Sequence, residues 1–457
     1  MEHYDAIIIG FGKGGKTLAA DLANRGQQVA MIERSAGMYG GTCINIACIP
    51  TKALIHRAKE IQSLHLKTYK EKAEAYKRAI TSKNEITAFL RQKNFDKLND
   101  SPNVKIYTGI GSFISAREIE VTTEKEKITL SGDKFFINTG AVPVIPPIKG
   151  IRESQRVYTS TSMMELDVLP ERLVIIGGGY IGLEFASMYA GFGSKVVVLE
   201  SYPQLAGRED SDIADAVKKV LEAKGIEFRL NARVQEITDT DEETVVSFRD
   251  IADQTEHGLF ADAVLVATGR QPDTESLNLG AAGIRTNERG AIIVNEHLQT
   301  TVHDIWAMGD VTGGLQFTYI SLDDYRIIRE QLFGKGKRTV ADREPVAYSV
   351  FIDPPLSRIG MTAKEATEKG YEVMTRTIPV ATIPRARVLG NTDGLLKSVV
   401  DANSGKILGC TLFCVDSSEV INTISLAIKA GLDYSVLRDQ IYTHPSMSES
   451  LNDLFSF

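Results

Sequence analysis

The sequence has few cysteines and no long apolar run. Only four of its 457 residues are cysteine, which is too few for the disulfide framework of a small secreted protein and suits a reducing compartment in which a cysteine pair is catalytic. No apolar stretch approaches the length of a membrane span, and the N-terminus has neither a basic segment nor the apolar core of a signal peptide. We therefore predict a cytoplasmic protein with no membrane partner.

The sequence also lacks a large excess of either positive or negative charge. The chain carries 52 Lys and Arg residues against 59 Asp and Glu residues, which gives a formal net charge of -7. This balance offers no basic surface for DNA or RNA, so a nucleic-acid partner is not expected. Hydrophobic residues make up 43% and charged residues 24% of the chain, as in soluble globular proteins. A chain of this length exceeds one hydrophobic core, which predicts two or three domains.

The first 33 residues have the pattern of a dinucleotide-binding βαβ unit. Residues 6–9 form an apolar strand, residues 16–24 have a helical pattern, and residues 28–33 form a second strand that ends in Glu33. The turn after the first strand contains Gly10, Gly12 and Gly15. Glycines at this spacing let the backbone approach a pyrophosphate at the helix N-terminus, and an acidic residue about twenty positions later can bind ribose hydroxyls. We predict a dinucleotide site here.

A second unit of the same kind follows. Residues 172–176 form its first strand, residues 183–192 its helix, and residues 195–200 a strand that ends in Glu200. Its turn contains Gly177, Gly179 and Gly182. Two such units predict two dinucleotides, or one dinucleotide and one flavin, an arrangement suited to electron transfer. Glu200 can accept hydrogen bonds from a ribose 2'-hydroxyl and repel a 2'-phosphate, which favours NADH, although Arg208 nearby could weaken that preference.

Cys43 and Cys48 stand between the first unit and a helical pattern that contains Lys52. In an ideal helix, Cα atoms five residues apart are about 8 to 9 Å from each other, so the chain must wind more tightly there if a disulfide closes. A disulfide this local gains little from loop closure, which favours a redox role over a structural one. Thiols at the front of a helix and near a lysine should have lowered pKa values. The alternative is two unpaired buried thiols.

Helical and strand patterns alternate between and after these motifs. Residues 55–98, rich in Lys and Glu and nearly free of Gly and Pro, predict a helical hairpin with a solvated face. Residues 104–130 alternate as in a small antiparallel sheet, and residues 135–140 return to the parallel sheet. Residues 305–310 form a strand that delivers Asp310 to a turn. Its carboxylate could bind a ribityl hydroxyl, or it could cap the next helix.

From residue 345 on, strands and helices follow each other without a nucleotide motif, which predicts an α+β domain. Cys410 and Cys414 share one predicted strand at roughly 13 Å from each other, too far to bond, and we interpret them as core thiols. His444 stands five residues before Glu449 and next to a proline. These two residues could form an acid–base pair or a capped helix start.

Together these motifs resemble the class I pyridine nucleotide-disulfide oxidoreductases, the family of glutathione reductase, dihydrolipoamide dehydrogenase and mercuric reductase. The motifs that carry the resemblance are the two glycine turns, GGTCINIACIPTK at residues 40–52, ATG at 267–269, AMGD at 307–310 and HPSMSE at 444–449. The chain is also similar to the bacterial branch of reactive-chlorine-resistance flavoproteins, which includes hypothiocyanous acid reductases and enzymes reported to reduce copper(II). The segments that mark this branch are residues 10–13, 38–46, 317–326, 383–387 and 444–450.

The resemblance implies an α/β fold with two Rossmann-like dinucleotide-binding domains, one for FAD and one for NAD(P), and a C-terminal α+β dimerisation domain. The expected limits are residues 1–150 for the FAD-binding domain, completed by 271–344, residues 151–270 for the NAD(P)-binding domain and residues 345–457 for the dimerisation domain. A C2 homodimer is implied, because in this family each active site is shared across the subunit interface.

The resemblance also implies roles for individual residues. The implied catalytic residues are Cys43, Cys48, Lys52, Glu184, His444 and Glu449. Cys48 would face the flavin and Cys43 the substrate, with the lysine near flavin N5 and the histidine–glutamate pair supplied by the other subunit to move the proton at Cys43. NAD(P)H would dock at the second turn under Tyr180. The implied cofactor-binding residues are Gly10, Gly12, Gly15, Glu33, Thr42, Thr139, Gly140, Gly309, Asp310, Gly177, Gly179, Tyr180, Gly182, Glu200 and Gly269; no metal site is implied.

The predicted substrate is a small oxidant, with hypothiocyanous acid first and copper(II) as a second acceptor, in defence against oxidative and reactive-chlorine stress. The alternatives are a dihydrolipoamide dehydrogenase, a mercuric-reductase-like enzyme and a redox sensor without turnover. Mercury is disfavoured because residues 451–457 lack the C-terminal cysteine pair of mercuric reductases. His56, eight residues after Cys48, could help to bind a metal or an oxidant, but we expect it to be buried with its hydrogen bonds satisfied.

Overall fold

Four β-sheets of three to seven strands and a two-stranded ribbon organise the chain in the computed structural model, which describes residues 1–457. In chain order the strands are β1 (Glu2–Ile9), β2 (Val29–Glu33), β3 (Val104–Thr108), β4 (Ile110–Ser115), β5 (Glu118–Thr122), β6 (Lys127–Ile137), β7 (Ala141–Pro143), β8 (Val157–Thr159), β9 (Arg172–Ile176), β10 (Lys195–Leu199), β11 (Glu227–Arg229), β12 (Ala232–Asp239), β13 (Thr244–Asp250), β14 (Glu256–Ala261), β15 (Ala263–Val266), β16 (Arg270–Pro272), β17 (Ile305–Ala307), β18 (Tyr348–Val350), β19 (Leu356–Gly360), β20 (Val373–Pro379), β21 (Leu395–Asp401) and β22 (Ile407–Phe413). The helices are α1 (Lys13–Asn24), α2 (Thr42–Asn45), α3 (Cys48–Ser63), α4 (Tyr69–Asn99), α5 (Ser160–Met163), α6 (Tyr180–Phe192), α7 (Ser211–Ala223), α8 (Thr318–Phe333), α9 (Ala363–Glu368), α10 (Pro384–Val388), α11 (Ser417–Lys429), α12 (Tyr434–Asp439) and α13 (Ser450–Leu454).

The first predicted unit lies in a seven-stranded sheet of order β3-β2-β1-β6-β5-β4, with β17 paired to β6. Strand β6 is parallel to β1 and β17, and its first residues pair antiparallel with β5. The prediction of a small antiparallel sheet over residues 104–130 is correct for β4 and β5 and wrong for β3, which lies parallel beside β2. Alternating apolar residues do not distinguish the edge of a parallel sheet from an antiparallel strand.

The second predicted unit forms a parallel sheet of order β11-β10-β9-β15-β8, and the antiparallel strands β12 to β14 pack on one of its faces. The turn after β9 leads into α6, and β10 ends next to Glu200, which confirms this unit. Strands β7 and β16 pair with each other where the chain leaves and re-enters the first unit. The residue limits expected for the three domains remain a prediction.

The predicted helical hairpin is present as α3 and α4. Helix α4 runs for 31 residues and begins with a capping box in which Thr68 and Glu71 exchange hydrogen bonds. Helix α3 packs against both α4 and α6, because Leu54 shares one hydrophobic core with Tyr76 and Tyr189. The hydroxyls of these two tyrosines are 2.9 Å apart. This packing fixes the helix that follows the cysteines against the helix of the second nucleotide unit.

An antiparallel sheet of order β18-β19-β22-β21-β20 forms the C-terminal α+β unit. Strand β19 was not predicted, because the buried polar residues Ser357 and Arg358 interrupt its apolar pattern. Cys410 and Cys414 are each 1% exposed, which confirms that they are core thiols, and burial raises the pKa of both. None of the helices combines the length and the apolar character that a membrane crossing requires.

Candidate active site

Both glycine turns open into one continuous cleft with a volume of about 2300 Å³, which we call the central cleft. The predicted residues that line it are Gly10, Gly12, Glu33, Thr42, Cys43, Cys48, Lys52, Thr139, Gly140, Gly177, Gly179, Tyr180, Glu184, Glu200, Gly269 and Asp310. The predicted residues that do not line it are Gly15, Gly182, Gly309, His444 and Glu449. The central cleft therefore joins both glycine turns to the two cysteines.

The first and last glycines of each turn are required by the backbone. Gly10 and Gly177 have φ angles of +99° and +112°, and a Cβ on either would lie 2.4 or 2.6 Å from a backbone oxygen of the neighbouring strand. A Cβ on Gly15 would lie 2.7 Å from the carbonyl oxygen of Gly10, and one on Gly182 would lie 2.0 Å from that of Gly177. The missing side chains let each helix begin close to its strand, so that backbone N–H groups can reach a pyrophosphate.

The acidic residue after each second strand is held by its own glycine turn. Glu33 accepts a hydrogen bond from the N–H of Phe11 at 3.0 Å and is only 7% exposed, so burial raises its pKa. Glu200 accepts hydrogen bonds from the N–H groups of Gly178 and Tyr202 at 2.7 and 3.0 Å. Both carboxylates line the central cleft, where the ribose hydroxyls of a dinucleotide can donate to them.

A buried polar network supports the first turn from behind. Asn138 accepts a hydrogen bond from the N–H of Gly15 at 3.0 Å and donates one to the carbonyl oxygen of Met308 at 2.7 Å. Ser321 accepts hydrogen bonds from the N–H of Gly14 at 3.0 Å and from the Asn138 amide at 3.2 Å. This network fixes the first turn to helix α8 and leaves its opposite side open to the central cleft.

Asp310 lies in the short turn Gly309–Thr312 and lines the central cleft. Burial raises the pKa of its carboxyl, and the nearby charge of Arg270 partly opposes this. It is not the cap of α8, which begins farther along the chain. The N–H of Gly309 donates to Asp324 at 2.6 Å, which fixes the turn. A half-buried carboxyl that faces the cleft beside a glycine turn fits the hydroxyl-rich side chain of FAD.

The two active-site cysteines belong to different helices. Cys43 lies in α2, and Cys48 is the first residue of α3. Ala47 lies between these helices with φ -145° and ψ -103°, so the chain leaves helical geometry there. Both cysteines are free thiols, and each shifts the pKa of the other. The sulfur of Cys48 also lies 3.5 Å from the hydroxyl oxygen of Thr318.

The two thiols have opposite pKa shifts. The neighbouring thiol of Cys43 lowers the pKa of Cys48 most, and the Thr318 hydroxyl and the charge of Lys52 lower it further against the effect of burial. The neighbouring Cys48, together with burial, raises the pKa of Cys43. The pair therefore loses its first proton from Cys48, whereas Cys43 keeps its proton until a base removes it.

Lys52 connects the cysteines to the second unit. Its ammonium group donates to both carboxylate oxygens of Glu184, at 2.9 and 2.8 Å. Glu184 also accepts a hydrogen bond from the N–H of Phe351 at 2.8 Å, and the lysine nitrogen lies 4.7 Å from the centroid of the Phe351 ring. This ion pair joins α3, α6 and the C-terminal unit. Its catalytic role remains a prediction.

Two histidines of interest are exposed. His444 and Glu449 form a hydrogen bond of 2.7 Å, but the histidine side chain is 73% exposed and neither residue lines the central cleft. One chain therefore does not bring this pair to Cys43, and its supply by a second subunit remains a prediction. The expectation that His56 is buried is wrong. Its side chain is 70% exposed and pairs with Glu60 at 3.2 Å, because it lies on the solvent face of α3.

Sequence reasoning missed residues that contact the predicted ones from distant parts of the chain. Thr318 is 270 positions from Cys48, which it contacts. Glu209 and Tyr348 lie 2.6 and 2.9 Å from the hydroxyl of Tyr180. A hydroxyl residue at the start of α8 and an acidic residue before α7 are common features of helix starts, so neither gave a distinctive signal.

Three comparisons with known proteins give consistent matches. Residues 4–324 match the family described as pyridine nucleotide-disulphide oxidoreductase, and residues 346–455 match its dimerisation domain. The chain is 52% identical over 457 residues to the probable pyridine nucleotide-disulfide oxidoreductase RclA of Escherichia coli K12, covering 100% of this chain and 99% of that protein. It is 34% identical to a mercuric reductase of Lysinibacillus sphaericus, covering 98% of this chain and 82% of that protein.

The solved structures give the same result. The Cu(II) complex of the HOCl-induced flavoprotein disulfide reductase RclA from Escherichia coli superposes on this chain with a TM-score of 0.93 at 52% identity. The match covers 100% of this chain and 99% of that chain. The shared architecture therefore extends over all four sheets and the two-stranded ribbon.

Proposed function

Because the chain belongs to the pyridine nucleotide-disulfide oxidoreductases, we propose that it uses a reduced nicotinamide nucleotide to reduce a small oxidant at Cys43, with hypothiocyanous acid as the first candidate. The observation that carries this proposal is the unequal thiol pair in the central cleft, in which the pKa of Cys48 is lowered and that of Cys43 is raised. An oxidant with electrophilic sulfur or halogen needs only one accessible thiol that can lose its proton and a second thiol beside it.

The family implies FAD and NAD(P)H as cofactors, and the residues of the central cleft fit them. The first turn with Glu33 and Asp310 would hold FAD, and the second turn with Glu200 would hold the nicotinamide nucleotide. When bound, FAD takes a hydride from the reduced nucleotide and supplies two electrons to the disulfide. We propose NADH as the preferred nucleotide, because the fixed carboxylate of Glu200 accepts a ribose 2'-hydroxyl and repels a 2'-phosphate.

The reaction with hypothiocyanous acid would begin at the protonated thiol of Cys43. The partner subunit's His444 takes this proton, and the resulting thiolate attacks the oxidant's sulfur, which forms an S–S bond and releases the hydroxyl group as water with that proton. The thiolate of Cys48 then attacks the sulfur of Cys43, thiocyanate leaves, and the Cys43–Cys48 disulfide forms. Two thiol groups are oxidised to one disulfide, and the oxidant is reduced to thiocyanate and water.

This reaction needs a homodimer. Residues 346–455 match a dimerisation domain, and this region exposes large apolar side chains, with Leu426 71% and Ile441 91% exposed. Such surfaces mark subunit contacts. A C2 dimer would bring His444 of each subunit to Cys43 of the other.

We propose the same domain limits that the sequence predicts. We also propose a cytoplasmic location, because a reducing compartment keeps the remaining cysteines free.

An acceptor panel on purified, FAD-loaded protein tests the substrate. NADH consumption would be measured with hypothiocyanous acid, copper(II), mercury(II), lipoamide, glutathione disulfide and oxygen, and we expect the fastest steady turnover with hypothiocyanous acid. Cys43→Ser should abolish this turnover, whereas Cys410→Ser changes a core thiol that does not line the cleft and should retain it. Turnover with lipoamide alone would identify a dihydrolipoamide dehydrogenase. If none of the acceptors supported turnover, the protein would be a redox sensor.

Copper(II) is the second candidate. It is favoured because the Escherichia coli relative at 52% identity has been solved as a Cu(II) complex. The same Cys43→Ser variant separates two routes for this acceptor. Loss of copper reduction would place the dithiol on the electron path, and full retention would mean that electrons reach copper without Cys43.

A further inference from the structure

A buried carboxylate outside the reacting groups joins the nucleotide side of the central cleft to the C-terminal unit. The side chain of Glu209 is 0% exposed. One of its oxygens accepts hydrogen bonds from the hydroxyls of Tyr180 and Tyr348, both at 2.6 Å. The guanidinium of Arg358 lies 3.4 Å from its other oxygen and donates to the Tyr348 hydroxyl at 2.7 Å. We call these four residues the Glu209 cluster.

Tyr180 is the member of the cluster at the second glycine turn. It is the first residue of α6 and lies one turn before Glu184, so both side chains lie on the same face of the helix. Glu184 in turn holds Lys52 next to the cysteines. A dinucleotide with its adenosine ribose at Glu200 and its pyrophosphate at the turn must extend its nicotinamide past Tyr180 towards Lys52.

The cluster restrains the Tyr180 ring. Burial and the negative charge of Glu209 raise the pKa of Tyr180, so its hydroxyl stays protonated and donates. Burial alone would lower the pKa of the Arg358 guanidinium. The negative charge of Glu209 outweighs this effect, so the pKa is raised and Arg358 stays charged. The Tyr180 side chain can therefore move away only by breaking a charge-assisted hydrogen bond to a buried, paired carboxylate.

We propose that Glu209, held by Arg358 and Tyr348, is a positioning residue that fixes the ring of Tyr180 against the nicotinamide end of the bound nucleotide. This inference rests on the proposed nucleotide site at the second glycine turn. It also means that the C-terminal unit contributes to nucleotide binding through Arg358.

A neighbouring ion pair provides a matched control. Lys397 lies 2.9 Å from Asp210 and 2.8 Å from Asp212, and Asp210 also accepts a hydrogen bond from the N–H of Ala363 at 3.0 Å. These contacts join the same segment of the second unit to the C-terminal unit, but none of them involves Tyr180. Asp210→Asn therefore weakens the contact between the units and leaves the ring restrained.

The test compares two ligands of the oxidised, FAD-loaded protein by calorimetry. NAD⁺ carries the nicotinamide, and ADP-ribose lacks it. Glu209→Gln and Tyr180→Phe each weaken or remove the hydrogen bond that fixes the Tyr180 ring before the nucleotide binds. Each should therefore weaken NAD⁺ binding about threefold relative to ADP-ribose binding. Asp210→Asn should leave this ratio within about 1.5-fold of the original protein. The thermal midpoint of each variant checks that it folds, and Tyr348→Phe, which removes one hydroxyl, replaces Glu209→Gln if that variant does not fold.

Three results would overturn the proposal. An unchanged ratio in both cluster variants would show that the ring is not positioned by Glu209. Tighter NAD⁺ binding would show that the cluster holds the ring out of the nicotinamide's way. An equal loss in Asp210→Asn would assign the effect to the contact between the units. Failure of the unchanged protein to bind ADP-ribose would instead overturn the nucleotide site itself, and the proposal with it.

Discussion

The two glycine turns share a backbone geometry but differ in what surrounds them. The first turn is enclosed, because Asn138 and Ser321 bind its N–H groups from behind and Glu33 is 7% exposed. A Cβ on Gly12 would lie 2.3 Å from the Asn138 side chain, whereas a Cβ on Gly179 would meet no atom within 4 Å. An enclosed site suits a cofactor that stays bound, and an open one suits a nucleotide that binds and leaves at every turnover.

The strongest test of this difference replaces the middle glycine of each turn by alanine. Asn138 is held by hydrogen bonds to the first turn, Met308 and Ser321 and cannot move aside, so Gly12→Ala should destabilise the loaded protein by about 1–3 kcal/mol and release most of its FAD. Gly179→Ala should change stability by less than about 0.5 kcal/mol. Flavin absorbance per protein and thermal midpoints measure both effects. Equal flavin loss in the two variants would contradict the distinction.

A second test replaces the carboxylate residue at each turn by serine. Glu200→Ser removes the charge that repels a 2'-phosphate while Arg208 remains in the cleft, so the ratio of kcat/KM for NADPH over NADH should rise about tenfold. Glu33→Ser is the matched variant at the first turn and should lower flavin content without changing this ratio. A ratio that responds to Glu33 as much as to Glu200 would mean that the two turns are not specialised.

The smallest expected effects lie at the cysteines, where the two units meet. The thiolate of Cys48 forms as the pH rises through its lowered pKa and is lost as the pH falls through it. Absorbance at 240 nm of the reduced protein without FAD should therefore reach its half-point below about pH 8.5, the ordinary thiol value. Cys43→Ala removes the thiol that lowers this pKa most and should move the half-point to higher pH. Lys52→Met should move it less, by under about one unit.

The order of these two shifts is the informative result. If Lys52→Met moved the half-point more than Cys43→Ala, the charge of Lys52 would control the thiolate, and the neighbouring thiol of Cys43 would be secondary. Cys414→Ala is a suitable control, because this thiol is buried away from the cleft and its removal should leave the half-point unchanged.

The local part of the site could be predicted from the sequence. The strand–turn–helix patterns and the acidic residues Glu33 and Glu200 each depend on fewer than about thirty consecutive residues, which is the range over which periodicity and spacing carry information. The two nucleotide units and the α+β character of the C-terminal unit followed from the same patterns.

The distant part of the site could not be predicted. Thr318 and Glu209 act through contacts that only the packing of separate parts of the chain creates, and each residue type is ordinary at a helix start. The exposure of His56 depends on which face of α3 is covered by α4 and α6. The parallel pairing of β3 depends on its neighbour β2 and not on its own alternation.

The pairing of β6 with β17 has a consequence for how the protein is made. Phe135 pairs with Ile305, and Asn138 bonds to Met308, so the first unit is completed by residues that the ribosome adds only after the entire second unit. The second unit can fold while the nascent chain is still growing, whereas the first must wait with an open sheet edge. Flavin capture is therefore a late event of biosynthesis, and a chain released before β17 would leave the ribosome without a flavin pocket.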